Sequence, residues 1–239
     1  MIVTIDGPAG SGKSTVARQL AIRLGVRFLD TGAMYRAVAL AALNNNIDES
    51  NDAAVEALAS QVEIQFSEDQ LLLNGQDATD DIRRSDVTAI SSIVAAHPAV
   101  RSRLVELQRQ VGQAGSLVTE GRDQGSVVFP TAKFKFFLTA NLDVRARRRH
   151  KELVGKGSKL TLTTVKNQLS QRDDRDESRI HAPLKPAEDA QLIDTSHFTI
   201  AQVVDLLCDT VTGNVSTLPD STPTPDSTPT PNPDGTRLD

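Results

Sequence analysis

The chain has 239 residues, a formal net charge of −5 and a single cysteine, Cys208. This length suits one large domain, or a core with small inserted subdomains. The acidic balance argues against a general nucleic-acid surface, and an aromatic content of 3 % without Trp argues against base-stacking platforms. One cysteine excludes an intrachain disulfide, and we expect Cys208 to be a small buried residue of a late helix. We see no signal-peptide pattern and no apolar run of membrane-spanning length, so we expect a cytoplasmic protein without membrane or nucleic-acid partners.

Short apolar runs alternate with helical patterns along most of the chain. The first run, at 2–5, is followed by a glycine-rich turn and by a helix predicted over 13–24. The other predicted strands lie at 27–29, 117–119, 134–138 and 192–193. This alternation predicts an α/β fold, in which a parallel sheet carries helices on both faces.

Residues 62–75 break this rhythm. Two short apolar runs joined by a polar turn predict an inserted β subdomain there, and two helices should follow at about 86–96 and 99–112. The last helix should begin at Thr199, where Thr-Ile-Ala-Gln fits a capping box. From Gly213 the composition changes to Ser, Thr, Pro and Asp, which predicts a disordered acidic tail over 213–239.

The turn after the first strand fits a phosphate-binding loop. Residues 7–14 read GPAGSGKS, the GxxxxGK[ST] pattern, between a predicted strand and a predicted helix. Lys13 would reach the β- and γ-phosphates of a nucleotide, and the Ser14 hydroxyl would ligate Mg²⁺. The predicted ATP-binding residues are Gly7, Pro8, Ala9, Gly10, Ser11, Gly12, Lys13, Ser14 and Thr15. A Rossmann dinucleotide site is disfavoured because its glycine pattern carries no Lys-Ser pair, and the lack of an Asn-Lys-x-Asp motif disfavours a GTPase switch.

Charged residues near the end of the chain suggest an anion site. Arg172, Arg175, Asp176 and Arg179 have i, i+3, i+4 and i+7 spacing, so in a helix they would share one face. Arginine forks suit the binding of phosphate groups. From charge alone, a solvated face of helical ion pairs fits the pattern equally well.

Two further groups follow predicted strands, at the sheet edge where open α/β folds bind ligands. Arg122 and Asp123 come after the strand at 117–119, with Glu120 as a candidate for outer-sphere contact with the metal. Thr31 and Arg36 come after the strand at 27–29 and should approach the same crevice.

A basic run admits two interpretations, a nucleic-acid patch or a helix that leads into a mobile lid. The run consists of Arg145, Arg147, Arg148 and Arg149. The acidic chain and the absence of interleaved aromatic residues favour the lid, and Gly155 and Gly157 would suit its hinge or loop tip. The four histidines are scattered without metal-ligand spacing, and we assign them no chemistry.

Several stretches together resemble the bacterial-type cytidylate (CMP/dCMP) kinase family, from residue 2 to about residue 207. They are TIDGPAGSGKST, FLDTGAMYRAVALAAL, NGQDATDDIR, VAAHPAVR, EGRDQGSVVFP, QRDDRDESR, APLKPAEDA and LIDTS. The resemblance implies a P-loop nucleoside-monophosphate kinase fold within a domain at 1–212. Its core would lie at 1–30, 116–150 and 180–212, its acceptor-binding region with the β insert at 31–115, and a short lid at about 151–179.

The resemblance also implies an activity, the Mg²⁺-dependent transfer of the γ-phosphoryl group of ATP to CMP or dCMP. The implied acceptor-binding residues are Thr31, Arg36, Ser92, Arg101, Arg122, Asp123, Arg172, Asp176 and Arg179. The implied catalytic residues are Lys13, Arg122 and Arg172, helped by the lid arginines.

Within the acceptor-binding set, the resemblance divides the roles. Ser92, Arg101 and Asp123 would read the cytosine edge with help from Arg179. Arg36 and Arg122, with Thr31 nearby, would hold the acceptor phosphate, and Arg172 and Asp176 would contact the pentose.

Two residues depart from the family pattern. Gln124 stands where the family usually has an apolar residue, and Ser126 replaces a common Thr. Gln124 could alter the acceptor preference. Two alternatives remain open from the sequence: a P-loop kinase with another acceptor, such as UMP or a metabolite, and a non-catalytic ATP-dependent switch or nucleic-acid-binding module. We expect a monomer, since no extended apolar stripe calls for a partner.

Overall fold

A five-stranded parallel sheet forms the centre of the computed structural model, which describes residues 1–67 and 70–214. Its strands are β1 Ile2–Asp6, β2 Arg27–Asp30, β6 Leu117–Gly121, β7 Phe134–Thr139 and β8 Gln191–Asp194. They lie side by side in the order β2-β6-β1-β7-β8 and all pair in parallel. The five predicted strands are confirmed, each one or two residues longer than predicted.

Helices cover both faces of this sheet. They are α1 Lys13–Leu24, α2 Thr31–Asn44, α3 Asp52–Gln61, α4 Ser85–Val94, α5 Pro98–Gln113, α6 Leu142–Gly155, α7 Leu162–Glu177 and α8 Ile200–Thr212. Helix α1 has the predicted bounds, and α8 begins with the predicted capping box, in which Thr199 and Gln202 bond each other's backbone N–H. Within 1–67 and 70–214, every helix is too short or too polar to cross a membrane.

Two apolar cores hold these layers together. One joins the central strands to α1 and α8 and includes Val3, Leu20, Leu138 and Leu207. Cys208 is buried in this core, as predicted. The other core lies among α2 to α5 and includes Met34, Val55, Val87 and Leu104. Both cores are built mainly from aliphatic side chains, as the low aromatic content predicts, with Phe136 as a buried aromatic residue of the first.

The inserted β subdomain is a small antiparallel sheet of β3 Ile64–Ser67, β4 Gln70–Leu73 and β5 Gln76–Asp77. Leu71 and Leu73 anchor it in the core of α2 to α5. The sequence predicted β3 and β4 but not β5, because β5 has only two residues, both polar and exposed. Of the predicted tail, residues 215–239 lie outside the described part of the chain.

Strand β1 lies where the strand order reverses. The chain passes from β1 to β2 and β6 on one side, and later to β7 and β8 on the other. Ile5 is level with Glu120, and Asp6 with Gly121, so the carboxyl ends of β1 and β6 meet at one edge. Open α/β sheets bind ligands in the crevice at such a point. The predicted phosphate-binding loop follows β1 directly into this crevice.

Candidate active site

The loop between β1 and α1 has the backbone shape that a phosphate-binding loop needs. Gly7 has a φ of +147°, and a Cβ there would lie 2.0 Å from the carbonyl oxygen of Leu138, so a larger residue would clash. Gly12 precedes α1 with a φ of +90°, and it offers no side-chain cap to the helix. The N–H groups of the first turn of α1 can therefore bind an anion, which the helix dipole also favours.

The Lys13 side chain is fixed by contacts to the loop and to β6. This side chain is buried, and its Nζ donates to the Pro8 carbonyl oxygen at 3.2 Å and lies 3.8 Å from Glu120 Oε2. Burial first, and then the positive charge of Arg122, lower the pKa of Lys13 to about 7 against the opposing effect of Glu120. The arrangement places a buried ammonium beside the predicted phosphate position.

Ser14 and Glu120 provide two oxygen atoms side by side. The Ser14 hydroxyl donates to Glu120 Oε1 at 2.9 Å, and burial raises the pKa of Glu120 while Lys13 opposes that rise. Hydroxyl and carboxylate oxygens are the hard ligands that Mg²⁺ takes in nucleotide sites, together with water and phosphate oxygens. The chemistry of this pair therefore fits a magnesium ion, and the magnesium site stays a prediction.

The start of α2 brings Thr31 and Arg36 to the crevice. Asp30 caps the helix by accepting from the N–H of Ala33 at 2.8 Å, and its other carboxylate oxygen accepts from Arg36 Nη2 at 3.1 Å. Thr31 Oγ1 donates to the carbonyl oxygen of Glu120 at 2.7 Å. The Thr31 bond joins the carboxyl ends of β2 and β6, while the two Asp30 bonds hold the first turns of α2 and Arg36 against the end of β2.

Asp176 is the centre of a buried arginine cluster. Its carboxylate is 1 % exposed and accepts from Arg122 Nε at 2.7 Å and from Arg179 Nη2. Burial alone would raise the pKa of Asp176, but Arg122, Arg179 and Arg172 together lower it. Burial and the neighbouring Arg122 lower the pKa of Arg172 to about 10. Three guanidinium groups around one carboxylate leave an excess of positive charge that suits a phosphorylated ligand.

The predicted set of arginines in this cluster was wrong in one member, Arg175. Arg175 is exposed on α7, because it lies about 100° around the helix from the buried Asp176. Arg179 lies beyond the end of α7 at Glu177, although it still reaches Asp176. The third guanidinium comes instead from Arg122 at the end of β6.

The predicted base-reading residues come from three elements. Arg101 on α5 and Asp123 after β6 are both buried and form an ion pair. Ser92 is buried on α4, and within 1–67 and 70–214 its side chain makes no hydrogen bond to either of them. An open groove of about 940 Å³ runs from Arg101 along α5 to residues 180–182.

The basic run of α6 is divided between different tasks. Arg145 is buried and donates to the carbonyl oxygens of Ala9 and Ala140, and it pairs with Asp173 at 2.5 Å. Arg148 donates to the carbonyl oxygen of Thr195 at 2.6 Å. Arg147 points to solvent, and Arg149 pairs with Glu152. Arg145 therefore supports the phosphate-binding loop from behind, a role that the sequence did not predict.

Asp6 is a second residue beside the candidate site that sequence reasoning missed. Its two carboxylate oxygens accept from the N–H groups of Gln124 and Gly125 at 2.9 and 2.8 Å, which fixes the backbone directly after Asp123. Burial, with the nearby charge of Asp123, raises the pKa of Asp6 to about 7 despite these hydrogen bonds and Arg122. An acidic residue at the end of a buried strand, directly before the loop, was the available signal.

The raised pKa of Asp6 makes stability depend on pH in a defined direction. Between about pH 4 and pH 7 the folded chain keeps a proton that the unfolded chain has released, so the free energy of unfolding falls as pH rises through this window. A pKa difference of about 3 corresponds to about 4 kcal/mol over the full window. Relative to Asp6→Asn, which cannot titrate, we expect the wild type to lose about 2–3 kcal/mol between pH 5 and pH 8. Urea unfolding at both values measures this, and parallel pH curves would contradict it.

Two of the four histidines make contacts within the fold. His97 contacts Asp52 at 2.8 Å and the Glu49 carbonyl oxygen at 2.7 Å, and His150 contacts the Leu160 carbonyl oxygen at 3.0 Å. In the described ranges, no three His, Cys, Asp or Glu side chains are grouped closely enough to hold a metal by themselves. Any metal at Ser14 and Glu120 would therefore depend on oxygens from nucleotide and water.

Comparison with known proteins assigns the chain to a family. The family model described as cytidylate kinase matches residues 3–213. The cytidylate kinase of Citrifermentans bemidjiense is 45 % identical over 215 residues, covering 88 % of this chain and 92 % of that protein. The cytidylate kinase of Chromobacterium violaceum is 46 % identical over 204 residues, covering 85 % and 92 %. A solved shikimate kinase from Bacteroides thetaiotaomicron aligns with 89 % of this chain and 98 % of its own, at 11 % identity and a TM-score of 0.46, a likeness too weak to support an inference. With the sequence match extending over nearly all of the sheet, the loop and the arginine cluster, this chain belongs to the cytidylate kinase family.

Proposed function

We propose that this protein transfers the γ-phosphoryl group of ATP to CMP or dCMP, forming ADP and CDP or dCDP. Membership of a kinase family implies ATP as the donor. One observation supports the choice of acceptor. Asp123, which forms a buried ion pair with Arg101, directly follows Arg122, and Arg122 belongs to the Asp176 cluster. A nucleoside monophosphate has the matching pair of groups, a hydrogen-bonding base and a phosphate.

The reaction needs no side-chain nucleophile. An oxygen of the acceptor phosphate attacks the γ-phosphorus of ATP, the bond from that phosphorus to the β–γ bridging oxygen breaks, and ADP leaves. The protein aligns the two nucleotides and stabilises the charge on the transferred group. We assign this charge stabilisation to Lys13, Arg122 and Arg172.

Unsatisfied donors support the assignment of the acceptor phosphate and pentose. The Nε atoms of Arg172 and Arg179 are buried without a hydrogen-bond partner in the described part of the chain. Buried donors are normally paired, so a ligand that supplies acceptors would satisfy them. We assign the phosphate to Arg36 and Arg122 with Thr31 nearby, and the pentose to Arg172 and Asp176.

The base assignment follows from hydrogen-bonding chemistry. The carboxylate of Asp123 can accept from the cytosine amino group, and Arg101 and Ser92 can donate to the ring nitrogen and the carbonyl oxygen. Arg179 lies close enough to Arg101 for their charges to interact. Uracil presents a carbonyl oxygen and an N–H in place of two of these groups, so UMP would leave buried polar groups unpaired.

We assign Mg²⁺ to Ser14 and Glu120, whose oxygens are 2.9 Å apart. When bound, the ion would neutralise phosphate charge. Glu120 also lies beside Lys13, so the same carboxylate orients the ammonium.

We further propose a lid at about 151–179, a monomeric state and a cytoplasmic location.

Coupled ADP release tests the proposed function. The purified protein is mixed with Mg-ATP and, separately, with CMP, dCMP, UMP, AMP or no acceptor. We expect turnover with the two cytidine nucleotides. Turnover with UMP or AMP instead would overturn the acceptor assignment. Silence with all four acceptors, together with salt-dependent binding of polynucleotide, would favour the non-catalytic alternative.

Asp123→Asn tests the base assignment. The neutral amide can turn a donor toward the uracil carbonyl oxygen, so we expect the ratio of kcat/KM for CMP over UMP to fall by about tenfold or more. The ratio is insensitive to the lost stability of the Arg101 pair, because both substrates use the same folded enzyme. Asp174→Asn, an exposed change on α7, is the control. An unchanged ratio would remove Asp123 from the base site.

A further inference from the structure

Gln124, which departs from the family pattern, occupies a fully enclosed position. Its side chain is 1 % exposed, its Oε1 accepts from Thr119 Oγ1 at 2.9 Å, and its Nε2 donates to Gln108 Oε1 at 3.0 Å. Gln108 is likewise buried, at 0 % exposure. Leaving a buried amide unpaired costs free energy, so Gln124 depends on Thr119 and Gln108, although Gln108 Nε2 is itself buried without a hydrogen-bond partner in the described residues.

The position of Gln108 on α5 gives this pair a link to the base-reading residues. Gln108 lies seven residues after Arg101, which is two helical turns, so both side chains lie on the same face of α5. Arg101 binds Asp123, and Gln108 binds the next residue, Gln124. Helix α5 is thus attached to two consecutive residues by one ion pair and one hydrogen bond between side-chain amides.

Gln124 also contacts the predicted phosphate side of the acceptor site. A Cβ built on Gly121 would lie 2.9 Å from Gln124 Cγ and 2.9 Å from Thr31 Oγ1, so both side chains close around that glycine. The backbone N–H of Gln124 is held by Asp6 at 2.9 Å. Its backbone is therefore fixed to β1, while its side chain links Thr119 on β6 to Gln108 on α5.

We propose that Gln124, through its bond to Gln108, is a positioning residue that aligns Arg101 and Asp123 for the acceptor base. The inference rests on the proposed function, because it concerns the same acceptor site. Gln124 touches neither nucleotide in this account, and its effect is confined to the geometry of the Arg101–Asp123 pair. Loss of the amide pair lets α5 shift against β6, which weakens acceptor binding and leaves the ATP side unaltered.

The experiment compares Gln124→Leu, Gln108→Leu and the double variant with Gln110→Leu, an exposed control on α5. KM for CMP, KM for ATP, kcat and the melting temperature are measured for each. Either single Leu leaves one buried amide without its partner, and we expect KM for CMP to rise by about tenfold, the equivalent of one hydrogen bond, with KM for ATP changed less than about twofold. The double variant removes both amides and leaves only the buried Thr119 hydroxyl without its acceptor, so we expect its KM for CMP to fall well below that of Gln124→Leu.

The outcomes separate positioning from simple structural support. A lower melting temperature with an unchanged KM for CMP in both single variants would overturn the inference. A double variant whose KM for CMP stays as high as that of Gln124→Leu would also overturn it, because Gln108 would then not be the partner. If Gln124→Leu fails to fold, Gln108→Leu alone decides by the same criterion. Wild-type protein that turns over no CMP would refute the proposed function, and the inference with it.

Discussion

Replacing Lys13 by alanine is expected to lower kcat by at least about 100-fold, or about 3 kcal/mol of transition-state stabilisation. The Lys13 ammonium is already buried and fixed by the Pro8 carbonyl oxygen and Glu120, so it needs little reorganisation when charge develops on the transferred phosphoryl group. Coupled assays of ADP release at saturating Mg-ATP and CMP measure the change in kcat.

Lys133→Ala is the matched control, since this lysine is exposed directly before β7, at the amino end of that strand and outside the proposed lid. It should retain wild-type turnover. Circular dichroism and the melting temperature check that Lys13→Ala remains folded, because the substitution leaves the buried Glu120 carboxylate without its neighbouring ammonium. Turnover of Lys13→Ala within about fivefold of the wild type would refute the assignment of charge stabilisation to this residue.

The strands and the loop could be predicted from sequence because their signals are local. Residues 2–24 carry an apolar run, a glycine-rich motif and a helical period in direct succession, and β1, the loop and α1 follow them. The capping box at Thr199 is equally local. Strand β5 was missed because two polar residues carry no alternation, and its pairing with β4 decides its conformation.

The pairing of charged and amide side chains could not be predicted, because the two partners of each pair lie far apart in the chain. Arg145 and Asp173 are 28 residues apart, and Gln108 and Gln124 are 16 apart, with no sequence period to connect them. The basic run of α6 reads as one group in the sequence, yet burial of Arg145 and exposure of Arg147 separate its members. Arg122 joins Asp176 only because β6 ends beside α7. Such contacts depend on tertiary packing.

Asp176→Ala is expected to have the largest effect on stability, about 3–5 kcal/mol lost from the free energy of unfolding. The carboxylate is 1 % exposed and accepts from Arg122 and Arg179, and its removal leaves both guanidinium groups, with Arg172 close by, without a buried counter-charge. Mutual repulsion among the three arginines adds to the cost of the lost hydrogen bonds. Urea unfolding measures the difference.

The matched control is Asp174→Ala, two residues earlier on α7 and exposed, which should cost less than about 0.5 kcal/mol.

A second experiment measures whether an added anion restores the stability of Asp176→Ala. If the three arginines form the phosphate side of the acceptor site, millimolar CMP or inorganic phosphate should restore part of the lost stability of Asp176→Ala, since a ligand that binds only the folded state stabilises it. A loss equal to that of Asp174→Ala would show that Asp176 does not hold the cluster together. A large loss without any rescue by phosphate or CMP would separate the cluster's structural role from acceptor binding, because the freed guanidinium groups would then have no access to the ligand.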